Sequence, residues 1–165
     1  MSQTGTITTN HVVNMLREPT GLPFAVEAAA NRAAVTLAEV ESSSILPQNV
    51  AHELAERTAG AQYPSVSVYC EKISNLMTEK FRTFSGKARM VVDIRVSQDR
   101  LEGIEALLEL YAEAVTDVLD SHRGCWGGGM FYAGGYEVTF GGVKHGGRNF
   151  IQSAKASFEV DISVG

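Results

Sequence analysis

Between Gly124 and Asn149 the chain reads GCWGGGMFYAGGYEVTFGGVKHGGRN, and ten of its 16 glycines fall there. The single tryptophan, Trp126, lies in the same stretch with Phe131, Tyr132, Tyr136, Phe140, Lys144, His145 and Arg148. Glycine loses more conformational freedom on folding than any other residue, so this density asks for a use. A phosphate cradle is the first chemistry to test. A Walker loop needs G-x-x-x-x-G-K-[ST], its lysine reaching the phosphates and its hydroxyl holding magnesium. Gly129 and Gly134 have the right spacing, but Gly135 and Tyr136 stand where Lys and Ser or Thr must be. No G-x-G-x-x-G occurs in the segment, and the element expected before it is a helix rather than a strand. The nucleotide reading fails on chemistry and on context.

Metal and nucleophile chemistry are weaker still. His122 and Cys125 have usable ligand spacing, and Cys70 and His145 could join them, but paired C-x-x-C units are absent. Complementarity to a helix dipole accounts for His122, and burial in a strand accounts for Cys70. Ser85 sits in F-S-G without the leading glycine of a nucleophile elbow. The four histidines show no tie to a carboxylate and a nucleophile, although triads are set by geometry rather than by spacing. The sequence therefore predicts no catalytic residue, no cofactor and no metal.

The remaining use for the glycines is an assembly arm. A mobile backbone carrying aromatic side chains suits an interface, where such residues are the usual anchors. On this reading residues 124–149 order on a neighbour, Trp126, Tyr132 and Tyr136 are desolvated anchors, and Lys144, His145 and Arg148 form a polar rim. The competing reading is a flexible hairpin loop without a role, which a loop of this length seldom is.

These residues need a scaffold, and periodicity supplies one. Residues 1–9 are small and polar and read as a loose tail. Residues 10–60 read as helical: a short helix through Val12, Val13 and Leu16 ended by Pro19, an alanine-rich one after Gly21, and a third from Pro47 to near Gly60, with 35–46 ambiguous. From Ser65 the period changes to two. Val66, Val68 and Cys70 alternate with polar residues, as do Ala88, Met90, Val92, Ile94 and Val96. Residues 98–123 form the strongest helix, with Ser97 as N-cap, an apolar stripe from Leu101 to Leu119, and Gly124 as its C′ glycine. Residues 136–140 and 157–164 alternate again. The expected architecture is α+β in ββαββ order: an antiparallel sheet of about four strands, one long helix on one face, and extra N-terminal helices.

At 165 residues, 44% hydrophobic and 20% charged, the chain has the size and composition of one globular domain. Its formal charge of −5 argues against a broad basic grip on nucleic acid. Two cysteines make no disulfide framework, no signal-peptide pattern opens the sequence, and the apolar runs are too short for a membrane span. Synthesis in the cytoplasm is expected.

Taken in order, YPSVSVYCEK, GKARMVVDIRVS, LEGIEALLELYAEAVTDVLD, the glycine–aromatic segment and NFIQSAKASFEVDIS resemble the tail terminators and related neck proteins of tailed bacteriophages. The resemblance covers residues 60–165 and lies in the order and character of elements, not in a catalytic motif. It implies a structural virion protein of the tail or neck, assembled in the host cytoplasm. Such a protein closes into a ring, a hexamer in the family, at the head-proximal end of the tail tube. Its partners would be its own copies, the tail tube protein and the head–tail connector proteins, with DNA passing through the lumen without sequence-specific binding. Another connector ring or a head-completion protein is the neighbouring reading. A small hydrolase or transferase using the glycine segment as a lid, and a monomeric binding module, are the rivals from other classes.

Overall fold

A computed structural model describes residues 3–51 and 62–165. The described chain runs through two helices, α1 (Thr4–Arg17) and α2 (Leu22–Ala33), then a 3₁₀ turn at Ser42–Ser44 and a two-residue strand β1 (Ile45–Leu46). Two long strands follow, β2 (Ser65–Asn75) and β3 (Phe84–Gln98), then α3 (Ile104–Ser121). Four short strands come next: β4 (Gly124–Gly127), β5 (Met130–Tyr132), β6 (Tyr136–Phe140) and β7 (Lys144–Gly146). Strand β8 (Asn149–Val164) completes the set.

The expected four-stranded antiparallel sheet is corrected by this topology. Eight strands form one curled, mixed sheet, a half-barrel in the order β1-β2-β3-β8-β5-β4, with β6 and β7 also on β8. The β1–β2 pair is parallel and all the others are antiparallel. The missing strands are two to four residues long, too short for an alternation to register. Strand β8 extends well before Ser157 because Ser153, Ala154 and Ala156, weak strand formers, are paired along the whole of β3.

The core face of the sheet carries the apolar set that period two picked out. Ala88, Met90, Val92 and Ile94 face Val160, Phe158, Ala156 and Ala154 across the β3–β8 ladder, and all are buried. Helix α3 lies across β3 and β8, α2 packs on α3, and α1 packs on β2. Leu108, Val115 and Leu119 are fully buried under α3, whereas Leu107 is half-buried and Leu101 exposed. The Tyr111 hydroxyl donates to Ala38 O at 2.7 Å, tying the segment after α2 to α3. Arg17 donates to Ile45 O and so anchors β1 to α1.

The opposite face is charged. Lys87 pairs with Glu159 and Asp161, and Arg89 with Glu71 and Glu137. Asp93 and Arg95 share this face yet are buried, 3.0 Å apart, and Arg95 also donates to Val50 O. Alternation alone reads both as exposed; the segment at residues 49–51 lies against them.

Four local expectations change as well. Residues 4–9 are helix, not a loose tail: the hydroxyls of Thr8 and Thr9 donate back to Thr4 O and Gly5 O, so buried threonines carry no unsatisfied group. Gly5 lets α1 approach Cys70 and Ile73, to which an added Cβ would lie 3.3 and 3.2 Å away. The long helix begins at Ile104, after Gly103 in a left-handed conformation, and Ser97 remains in β3. Residues 47–51 are not helical, and the remainder of the helix expected up to Gly60 lies outside the described residues.

Candidate assembly surface

Helix α3 delivers the chain into the glycine–aromatic segment through a fixed corner. The last turn closes with His122 N–H on Leu119 O, and His122 Nδ1 lies 2.7 Å from Val118 O, a contact that places the ring proton on Nδ1. The helix ends one residue earlier than a C′ glycine at 124 requires: His122 is the C-cap, and Gly124, with φ +110°, already opens β4. From there the segment is not an unpaired arm. Its residues form β4, β5, β6 and β7, three of them laid against β8 within the same chain.

The six residues expected at an interface separate into two groups. Tyr132 is fully buried, with its ring edge-on to Phe158 at 5.4 Å and its hydroxyl on Gly135 O. Burial pushes its phenol up to about 12, helped by Asp120 and Tyr136. Trp126 is half-buried: its ring stacks on His11 at 4.7 Å and its Nε1 donates to His122 O at 2.6 Å. These two residues pin β4 and β5 to α1 and α3, Tyr132 as part of the core and Trp126 packed against it. Tyr136, 39% exposed, is the one anchor left at the surface. Lys144, His145 and Arg148 are exposed at the β7–β8 turn, where His145 meets Phe150 edge-on at 5.2 Å. Tyr136 pairs with Phe158, on which Tyr132 packs, whereas Lys144 pairs with Ile151, so the basic residues stand roughly 23 Å from Tyr136 along β8.

What the structure adds is a set of exposed apolar side chains beside Tyr136. Phe140, on the same strand, is 42% exposed and Val143 after it is similarly open; Phe131, also exposed, lies on the opposite face of the sheet near Leu76. A second set crowns the β2–β3 loop: Leu76, Met77 and Phe81, the last wholly exposed. Met77 and Phe81 both have positive φ, which turns the loop tightly and presents them outward. Residues 71–86 read as a polar excursion because their charged and polar side chains together outnumber the apolar ones, and that masked the signal.

The residues weighed for chemistry are dispersed or occupied. Ser85 is buried and held by Thr78 and the Glu79 amide inside the β2–β3 loop. Cys70 lies against α1, where burial pushes its thiol up, and Cys125 is exposed on β4. Among the described residues no three His, Cys, Asp or Glu side chains are grouped to hold a metal ion. No helix among them is long and apolar enough to cross a membrane. A cavity of about 490 Å³ opens over Asp93 and Arg95, bounded by Tyr69, Thr139, Ser153 and Lys155. Asp93 Oδ1 and Arg95 Nε there make no hydrogen bond among the described residues.

No protein-family model and no curated protein matches this chain.

Proposed function

We propose that the protein is a structural subunit of a ring at the head-proximal end of a bacteriophage tail tube, where it stops tube growth and presents a docking face to the head connector. The observation that supports this reading most is the outer edge of β6. The strand pairs only with β8 among the described residues and carries exposed Tyr136 and Phe140 along that free edge. Apolar, unpaired strand edges invite another chain, and natural proteins blunt them unless pairing is their use. The element order and character that resemble neck proteins supply the rest of the argument. A ring of copies would be the docking unit, with tail tube and connector proteins bound on its two different faces, and no chemistry is required of it.

Native mass measurement with electron microscopy of the purified chain tests the reading. Closed rings well above the 17.8 kDa of one chain are expected, and their addition to growing tubes should cap tube length. A monomer at all concentrations, or tubes that lengthen as before, would remove it. A connector or head-completion ring, the neighbouring reading, would form rings that bind heads and leave tube length unaltered.

A further inference from the structure

We infer that the ring closes by continuing the sheet from one copy to the next, β6 of one copy pairing antiparallel with β2 of its neighbour. This rests on the ring reading above and names the contact that would build it.

The argument begins with two open edges. Strand β1 covers β2 only at Val66 and Ser67, so residues 68–75 have no strand partner on that side among the described residues. Among the described residues strand β6 is likewise open on the side away from β8. The two edges lie at opposite sides of the run β2-β3-β8-β6. They are different surfaces, which is what a head-to-tail, ring-forming contact requires.

Strand direction fits without adjustment. Successive pairs β2–β3, β3–β8 and β8–β6 are all antiparallel, so β6 runs opposite to β2. Copies related by a ring rotation share one orientation, so the next β2 meets β6 antiparallel and the alternation is unbroken. The sheet's curl supplies curvature that favours closure over an open filament.

Side chains match on both faces. Across the ladders, Tyr136, Val138 and Phe140 share the core face with Phe158, Ala156 and Ala154, and Cys70 and Ile73 share it with Met90 and Ala88. Val138, Cys70 and Ile73 are each only half-buried in the single chain. Joining the edges would seat apolar beside apolar. On the other face, Glu137 would meet Lys72. Among the described residues Lys72 has no ion pair and Glu137 has only Arg89 at 3.8 Å, so opposite charges face each other across the join.

Disulfide trapping tests this, because a half-buried native cysteine already sits on one edge. In a Cys125→Ser background, Val138→Cys places a thiol on the face that Cys70 of the next copy shares. Mild oxidation should give a ladder of covalent multimers beyond the dimer, lost when Cys70→Ser is added. Thr139→Cys points to the opposite face and should give no ladder. Tyr136→Cys, at an exposed position on the core face, serves if Val138→Cys fails to fold. Rings that form yet give no Cys70-dependent ladder from either variant, or an equal ladder from Thr139→Cys, would overturn the join while leaving the ring reading intact. A trapped dimer that never extends would show a symmetric contact and overturn it as well. A chain that stays monomeric would remove both.

Discussion

Trp126 joins three parts of the chain through one side chain: α1 by its stack on His11, the end of α3 by its bond to His122 O, and β5 by its contact with Tyr132. Trp126→Ala should therefore cost about 3 kcal/mol in chemical denaturation, at the low end for a large aromatic because the ring is only half-buried. Tyr132→Ala should cost about 3–5 kcal/mol and Tyr132→Phe only about 1 kcal/mol, the difference between losing a ring from the core and losing one hydrogen bond. An interface anchor would show the reverse, with stability untouched and assembly lost. His11 adds a pH dependence. Desolvation beneath Trp126 holds its pKa below 6.5, with the nearby His122 acting in the same direction and Glu18 against it. Protonation then favours the unfolded chain, so this contribution is complete above about pH 6.5 and is lost as the pH falls below it. Melting temperature should drop on acidification from pH 7.5 to 5.5, and His11→Phe, which keeps a stacking ring, should flatten part of that drop. Sequence could single out these aromatics but not assign them, because a ring buried within a chain and one buried between chains need the same side chain beside the same glycines.

Long elements announced themselves and short ones did not. Helix α3 and strands β2, β3, β6 and β8 each repeat a period often enough to stand out, whereas β1, β4, β5 and β7 hold two to four residues and exist through pairing alone. The start of helix α1 was hidden for a different reason: TGTITT has poor helical propensity, and packing on β2 overrides it. Within α3, two adjacent leucines separate the core from its margin. Leu108→Asp should prevent folding by burying an unpaired charge, while Leu107→Asp should fold with reduced stability, as circular dichroism on the two variants would show. Gly129 holds β5 in place. Its φ is +83° and an added Cβ would lie 2.1 Å from Ser163 O, so Gly129→Ala should detach β5 from β8 and speed amide exchange at Ser163, whose N–H bonds Gly129 O.

For the molecule as a whole, the buried Asp93–Arg95 pair ties β3 to the segment at residues 49–51. Arg95→Ala leaves a carboxylate enclosed with its partner gone and should cost about 3–5 kcal/mol, while Arg95→Ala with Asp93→Ala should recover much of that loss in the same denaturation assay. The charge pattern along β3 was plain from its residues, but which charges are enclosed depends on residues 49–51, more than forty positions away in sequence; period two cannot see that distance. The placement of β8 has a consequence for timing. It is the central strand, yet it follows every strand that it joins: among the described residues β6 and β7 pair with it alone. During synthesis the β2–β3 hairpin can form early, but β6 has nothing to lie against until residues 154–158 have been made. A nascent chain therefore offers at most one of its two open edges. If copies join through both edges as proposed, a half-made subunit cannot carry a ring past itself, and that competence arrives only once β8 has been made.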